Sequence, residues 1–152
     1  MTDQAQSSSQ AVNVLSETEI RQKYRNCPAA NTPSTINDSQ LAIIRSQFQI
    51  PLQYELRVPL PHEKIYWRFE GGWFRVPTIT LKYGVRFPLY SFITDFLSVI
   101  GIGFSQLAPN SFIHLICFFA HCKELDIELA LDLFFCFFKL TNSKESGFKV
   151  LS

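Results

Sequence analysis

The acidic residues Asp126, Glu128 and Asp132 are the first to weigh for chemistry, because two-metal phosphoryl transfer needs carboxylates converging on a pair of cations. Such sites draw their carboxylates from separate elements of a mixed sheet-and-helix fold. These three fall within about two turns of one expected helix, with no accompanying strands, and a solvated helix face is the reading that fits. An Asp-Thr/Ser-Gly triplet for an aspartic protease is absent, as is a Cys-x-x-Cys with a following His and Cys for a zinc knuckle. His114, Cys117 and His121 fall at i, i+3 and i+7, with Cys122 and Cys136 as further candidates for zinc. Three ligands on one helix cannot close a tetrahedral structural site, and Leu115, Ile116, Phe118 and Phe119 around them mark a packed interior. The sequence therefore carries no catalytic, cofactor or metal assignment, and no small-molecule substrate is implied.

A second constellation mixes bases with rings. Residues 41 to 90 carry Arg45, Arg57, Lys64, Arg68, Arg75, Lys82 and Arg86 against Glu55, Glu63 and Glu70, leaving +4, while the whole chain has a net charge of only +1. Interleaved with Tyr54, Tyr66, Trp67, Trp73 and Tyr83, these bases have the makeup of a surface that stacks bases and neutralises phosphates. Arg68, Arg75, Lys82 and Trp73 are the candidate nucleic-acid contacts. The competing reading puts Trp67, Phe69, Phe74 and Val76 in the core and leaves the charges to solvate the other side, and +4 is modest for phosphate-driven affinity.

The elements that must position these residues follow from periodicity and punctuation. Residues 1–15 are Ser- and Gln-rich, with too little apolar surface to offset ordering, and are expected to be a disordered tail. Residues 16–37 read as a short helix, opened by the capping-box spacing of Ser16 and Glu19, and then a loop containing Pro28 and Pro33. Asp38 or Ser39 can cap a helix through Phe48, ended by Ile50-Pro51. Residues 64–76 alternate around Gly71-Gly72, which predicts a hairpin with Phe69 opposite Phe74 and Trp67 opposite Val76. Pro77 suits the start of a short helix to Tyr83, with Gly84 just beyond.

Leu89, Phe92, Ile93, Phe96, Leu97 and Ile100 recur at helical spacing, with Pro88 at the start and Gly101 at the stop. Residues 110–124 are apolar on nearly every face and predict a central, surrounded helix. Asp126 can cap a last helix with two apolar stripes. Ile127, Ala130, Leu131, Phe134, Phe135 and Phe138 form one; Leu129, Leu133, Phe137 and Leu140 form the other. The second stripe needs a second packing partner, so the chain is expected either to associate with protein or a further copy of itself or to lack a segment that once covered this face, and those four residues are the candidate partner-binding positions.

Several of these runs resemble one family. Tyr83-Gly84-Val85-Arg86-Phe87-Pro88-Leu89, Ser105-Gln106-Leu107-Ala108-Pro109-Asn110, Cys122-Lys123-Glu124-Leu125 and Leu133 to Leu140 are similar to the plant putative gypsy-type transposase domain of retrotransposon-derived proteins. The resemblance covers about residues 38–152, with Ser111-Phe112 and Pro77 as departures. Gly147 to Ser152 is similar to the opening of an aromatic segment that continues in the family, which implies a truncated copy. The resemblance carries over no catalytic residue.

With 47% hydrophobic and 14% aromatic residues, 152 residues are enough for one closed core. Met1 to Gln10 lacks the basic and apolar regions of a secretory signal, so a reducing, intracellular setting, nuclear or cytoplasmic, is expected, with Cys27, Cys117, Cys122 and Cys136 as thiols. No Asp, Glu, Lys or Arg lies between Asp95 and Lys123, but Gly101, Gly103, Gln106, Pro109 and Asn110 break that span in a way lipid does not tolerate. The expectation is a mainly α domain over residues 38–152, a compact bundle of about five or six short helices with one small β-hairpin. It is expected to be non-catalytic and to act by protein interaction or self-association, with nucleic-acid binding as the alternative.

Overall fold

The computed structural model describes Glu19, Gln22 and residues 32–63, 71–143 and 148–152. Among these, the chain runs α1 (Asp38–Gln47), α2 (Thr78–Lys82), α3 (Ser91–Ile100), a 3-10 turn (Phe104–Gln106), α4 (Ser111–Glu124), α5 (Leu131–Phe137), β1 (Leu140–Asn142) and β2 (Lys149–Leu151). The architecture is mainly α, as the sequence predicts, and the small antiparallel hairpin among the described residues joins 140–142 to 149–151, where the sequence reading placed none. The tail and most of the expected helix at 16–26 lie outside the described residues.

The starts of the helices follow side-chain chemistry. The cap of α1 is Asn37, one residue ahead of the predicted one: its side chain accepts from the Gln40 N–H at 3.0 Å, while Gln40 Oε1 accepts from the Asn37 N–H at 2.9 Å. This reciprocal box satisfies two orphan donors at once. Pro77 precedes α2 and its carbonyl accepts from both the N–H and the hydroxyl of Thr80.

Four helices end in the same way. The first residue past the last turn takes positive φ, at Gln49, Gly84, Gly101 and Asp126. The next residue, Ile50, Val85, Ile102 or Ile127, then donates back to Arg45, Thr80, Leu97 or Cys122. That is the Schellman arrangement, which pairs carbonyls left open at a helix end.

Asp126 therefore terminates α4 and does not cap α5, which corrects the sequence reading. Residues 125–130 are not helical, and α5 begins only after Ala130. It also stops early, because Phe138 is extended (φ −122, ψ 139) and feeds β1. β1 pairs with β2 in the register Leu140↔Leu151, Thr141↔Val150 and Asn142↔Lys149.

The hairpin expected over 64–76 is a separate matter. Residues 64–70 lie outside the described residues, Gly71 and Gly72 form a turn, and Trp73 to Val76 belong to no strand.

The main core gathers Phe92, Ile93 and Phe96 from α3, Phe112 and Leu115 from α4, Phe134 from α5 and Leu151 from β2, with Val85, Phe104 and Leu107. A smaller cluster of Phe48, Ile50 and Leu81 joins α1 to α2, and Val76 packs against both. α4 is not surrounded as predicted. It buries Ser111, Phe112, Leu115 and Cys122, one stripe, while Ile113 and Cys117 are exposed. The centre is Phe134, whose ring meets Phe92, Phe96 and Phe118 edge-on and stacks on Phe138.

Candidate functional site

Two surfaces hold several of the residues singled out by sequence. The first is an open groove of about 640 Å³ lined by Ile44, Tyr54, Leu56, Trp73, Arg75 and Phe87, among others. Glu63 organises its charged end. Its carboxylate takes both Arg57 Nη1 (2.9 Å) and Nη2 (2.6 Å) and accepts the Leu60 N–H at 2.8 Å. Arg75 Nη2 donates to the Glu63 carbonyl and stands 3.8 Å from its carboxylate. The Arg57 bond, with help from Leu60 and the two guanidinium charges and against desolvation, holds the Glu63 carboxyl down at about 2. Arg57 in turn is raised by that bond, while burial lowers Arg75.

Most bases of this stretch are directed at the protein itself. Arg45 donates to the carbonyls of Ile50, Pro51 and Tyr54, and Arg86 to those of Leu81 and Val85. Arg86 also lies over the Phe48 ring at 5.5 Å, and Arg57 over Trp73 at 5.1 Å. Of the four nucleic-acid candidates, Trp73 and Arg75 line the groove, and Lys82 is exposed at the end of α2, away from the groove lining. Arg68 lies outside the described residues. Among the described residues, Arg45, Arg75 and Arg86 donate to backbone carbonyls and Arg57 to the Glu63 carboxylate, bonds that a charge sum does not display. Sequence reasoning missed Glu63, the hub, whose only signal was a carboxylate inside a basic run.

The second surface surrounds α5. Leu129 and Leu140 are half-buried against the main core, Leu133 is half-buried, and Phe137 is 68% exposed. The four do not form one helical stripe, since Leu129 precedes α5 and Leu140 belongs to β1. Leu125, Ile127 and Phe135 add further exposed apolar surface on the same part of the chain. Phe137 touches Phe118 with ring centroids 6.5 Å apart and otherwise faces solvent.

No metal centre forms among the described residues: no group of three or more His, Cys, Asp and Glu is placed to hold an ion. His121 Nδ1 lies 2.9 Å from the Cys117 carbonyl, a bond within its own helix. Cys117, Cys122 and Cys136 are free thiols. No helix among the described residues is long and apolar enough to cross a membrane.

The motifs that carry the family resemblance have structural jobs. Gly84 makes the α2 exit, Arg86 ties its carbonyls, and Gln106 accepts the Gly103 N–H at 2.7 Å to close the 3-10 turn. Leu107 is core, and Asn110, the cap residue of α4, accepts from the Tyr83 hydroxyl at 3.1 Å. This mainly helical assembly is what the comparisons with known proteins meet. Residues 77–142 match the model of the family described as Putative gypsy type transposon, which bears out the resemblance over α2 to β1. No curated protein and no solved structure matches the chain.

Proposed function

We propose that this chain is a non-catalytic, transposon-derived domain that acts by associating with protein, in the first instance with itself, through the apolar surface around α5. The observation that carries this reading is Phe137, a large ring 68% exposed, with Leu125, Ile127 and Phe135 also exposed in the same stretch of chain. Exposed apolar surface is removed from water most simply by another protein surface. The plant origin and the reducing intracellular setting implied by the sequence belong to the same reading, and the free thiols are compatible with it.

Sedimentation of the wild-type chain and of Phe137→Ser across a concentration series tests the proposal. The expected result is concentration-dependent association that persists in high salt and weakens in the variant. Salt-sensitive retention of an oligonucleotide, lost when Arg75 and Lys82 are neutralised, with no self-association, would instead favour nucleic-acid binding.

A further inference from the structure

Among the described residues, the small sheet has one edge that meets hydrogen-bonding neighbours and one that meets none. Lys139 and Ser152 exchange backbone bonds of 2.9 and 3.1 Å, and the Ser143 N–H donates to the Phe148 carbonyl at 2.9 Å. Antiparallel ladders alternate, so residues 139, 141 and 143 face β2, while the N–H and C=O groups of Leu140 and Asn142 point the other way. On the far side of the sheet, β2 has neighbours: its Lys149 carbonyl accepts from the Ala108 N–H at 2.8 Å, and the Leu151 N–H donates to Ser111 Oγ at 2.9 Å. Leu140 and Asn142 have no such neighbour among the described residues. Thr141 and Asn142 are exposed, so the edge is reachable.

We infer that β1 is the seam of self-association, pairing antiparallel with β1 of a second copy about a two-fold axis through Thr141. Any antiparallel strand offers this edge the same groups, and what a second copy adds is closure by symmetry. With 140 and 142 as the outward residues, Leu140 of each copy exchanges two bonds with Asn142 of the other, so all eight outward groups are satisfied with none left over. The contact closes on itself, as an isologous interface must. Two hairpins become one four-stranded sheet, and an edge that would otherwise invite indiscriminate pairing is covered. Four hydrogen bonds on three-residue strands need apolar support, and Phe137, three residues upstream of the seam, is exposed to supply it. The inference rests on the self-association proposed above and names its geometry.

Two variants test the seam. In the two-fold pairing the copies' Thr141 residues form a non-hydrogen-bonded pair with Cα atoms about 4.5 Å apart, within disulfide range. Thr141→Cys should therefore give, under mild oxidant, a covalent dimer whose peptide map shows a symmetric disulfide at position 141. Asn142→Pro removes an outward N–H and blocks the edge without touching the bonds of β1 to β2. It should raise the dimer dissociation constant roughly tenfold or more while leaving the helical circular dichroism unchanged. A chain that dimerises, yet gives no such disulfide and ignores Asn142→Pro, overturns the seam and leaves self-association standing. A chain that stays monomeric at every concentration removes both.

Discussion

Ser111 and Leu151, forty residues apart, are joined inside the core by a 2.9 Å bond from the Leu151 N–H to the Ser111 hydroxyl. The first residue of α4 thereby satisfies the inner strand of the hairpin at a point where water cannot. Ser111→Ala leaves that N–H unsatisfied and is expected to cost about 1–3 kcal/mol. Urea unfolding followed by circular dichroism measures it, and a midpoint unchanged from wild type would show that the bond contributes nothing.

Two rings of α5 separate stability from association. Phe134 is fully buried among Phe92, Phe96 and Phe118, so Phe134→Ala is expected to lose about 3–5 kcal/mol. Phe137→Ala should change stability by less than about 0.5 kcal/mol, since a surface ring has little packing to lose. The contrast can be read by thermal unfolding at a concentration low enough to hold the chain monomeric. Equal losses at the two positions would mean that Phe137 is packed, and its role as an exposed contact would fall.

The sequence was readable wherever the local rule and the tertiary demand agree. The apolar period of α3 from Phe92 onward, its stop at Gly101 and the start of α2 at Pro77 stand where spacing and punctuation put them, whereas α3 begins at Ser91 and not at Pro88, so Leu89 packs on the core from outside the helix. Three features depended on partners far along the chain. α4 is apolar on nearly every face, yet Phe112, Leu115, Ile116, Phe118 and Phe119 meet the core while Ile113 and Cys117 stay exposed, because which face is buried is settled by the elements packed on it. The two apolar stripes read as one long last helix fail because Phe138 turns extended to join a strand ladder closed by residues 149–151. Gln49 and Asp126 end helices in the left-handed region without being glycine, so the residue type gave no warning. The acceptors of Arg45 and Arg86 are backbone carbonyls, which composition does not display.

The helix exits predict two opposite effects. Gly84 has φ +104, and a Cβ there would lie 3.1 Å from Ile116 Cγ2, so Gly84→Ala combines backbone strain with a crowded contact against α4. A loss of about 1–3 kcal/mol is expected. Asp126 has φ +52, and Asp126→Gly relieves that conformation at the same kind of exit. It should raise stability by up to roughly 1 kcal/mol. Paired unfolding curves check both; a stabilising Gly84→Ala would refute the close approach of α2 to α4.

Acid should weaken the connection around Glu63. Its carboxyl sits at about 2 in the folded chain against an ordinary 4.5, chiefly because Arg57 holds the charged form with two bonds. A group whose folded value is depressed adds stability that is fully present above its unfolded value and is lost as pH falls through the folded one. The contribution is therefore intact at neutral pH and declines from about pH 4.5 toward pH 2. Glu63→Gln cannot ionise, so it should be less stable than wild type at pH 7, and the gap should narrow steadily on acidification. Melting temperatures of both chains at pH 7, 5, 4 and 3 provide the comparison. A gap that stays constant with pH would mean that the Arg57–Glu63 contact contributes packing alone, and a gap that widens in acid would reverse the sign of the argument.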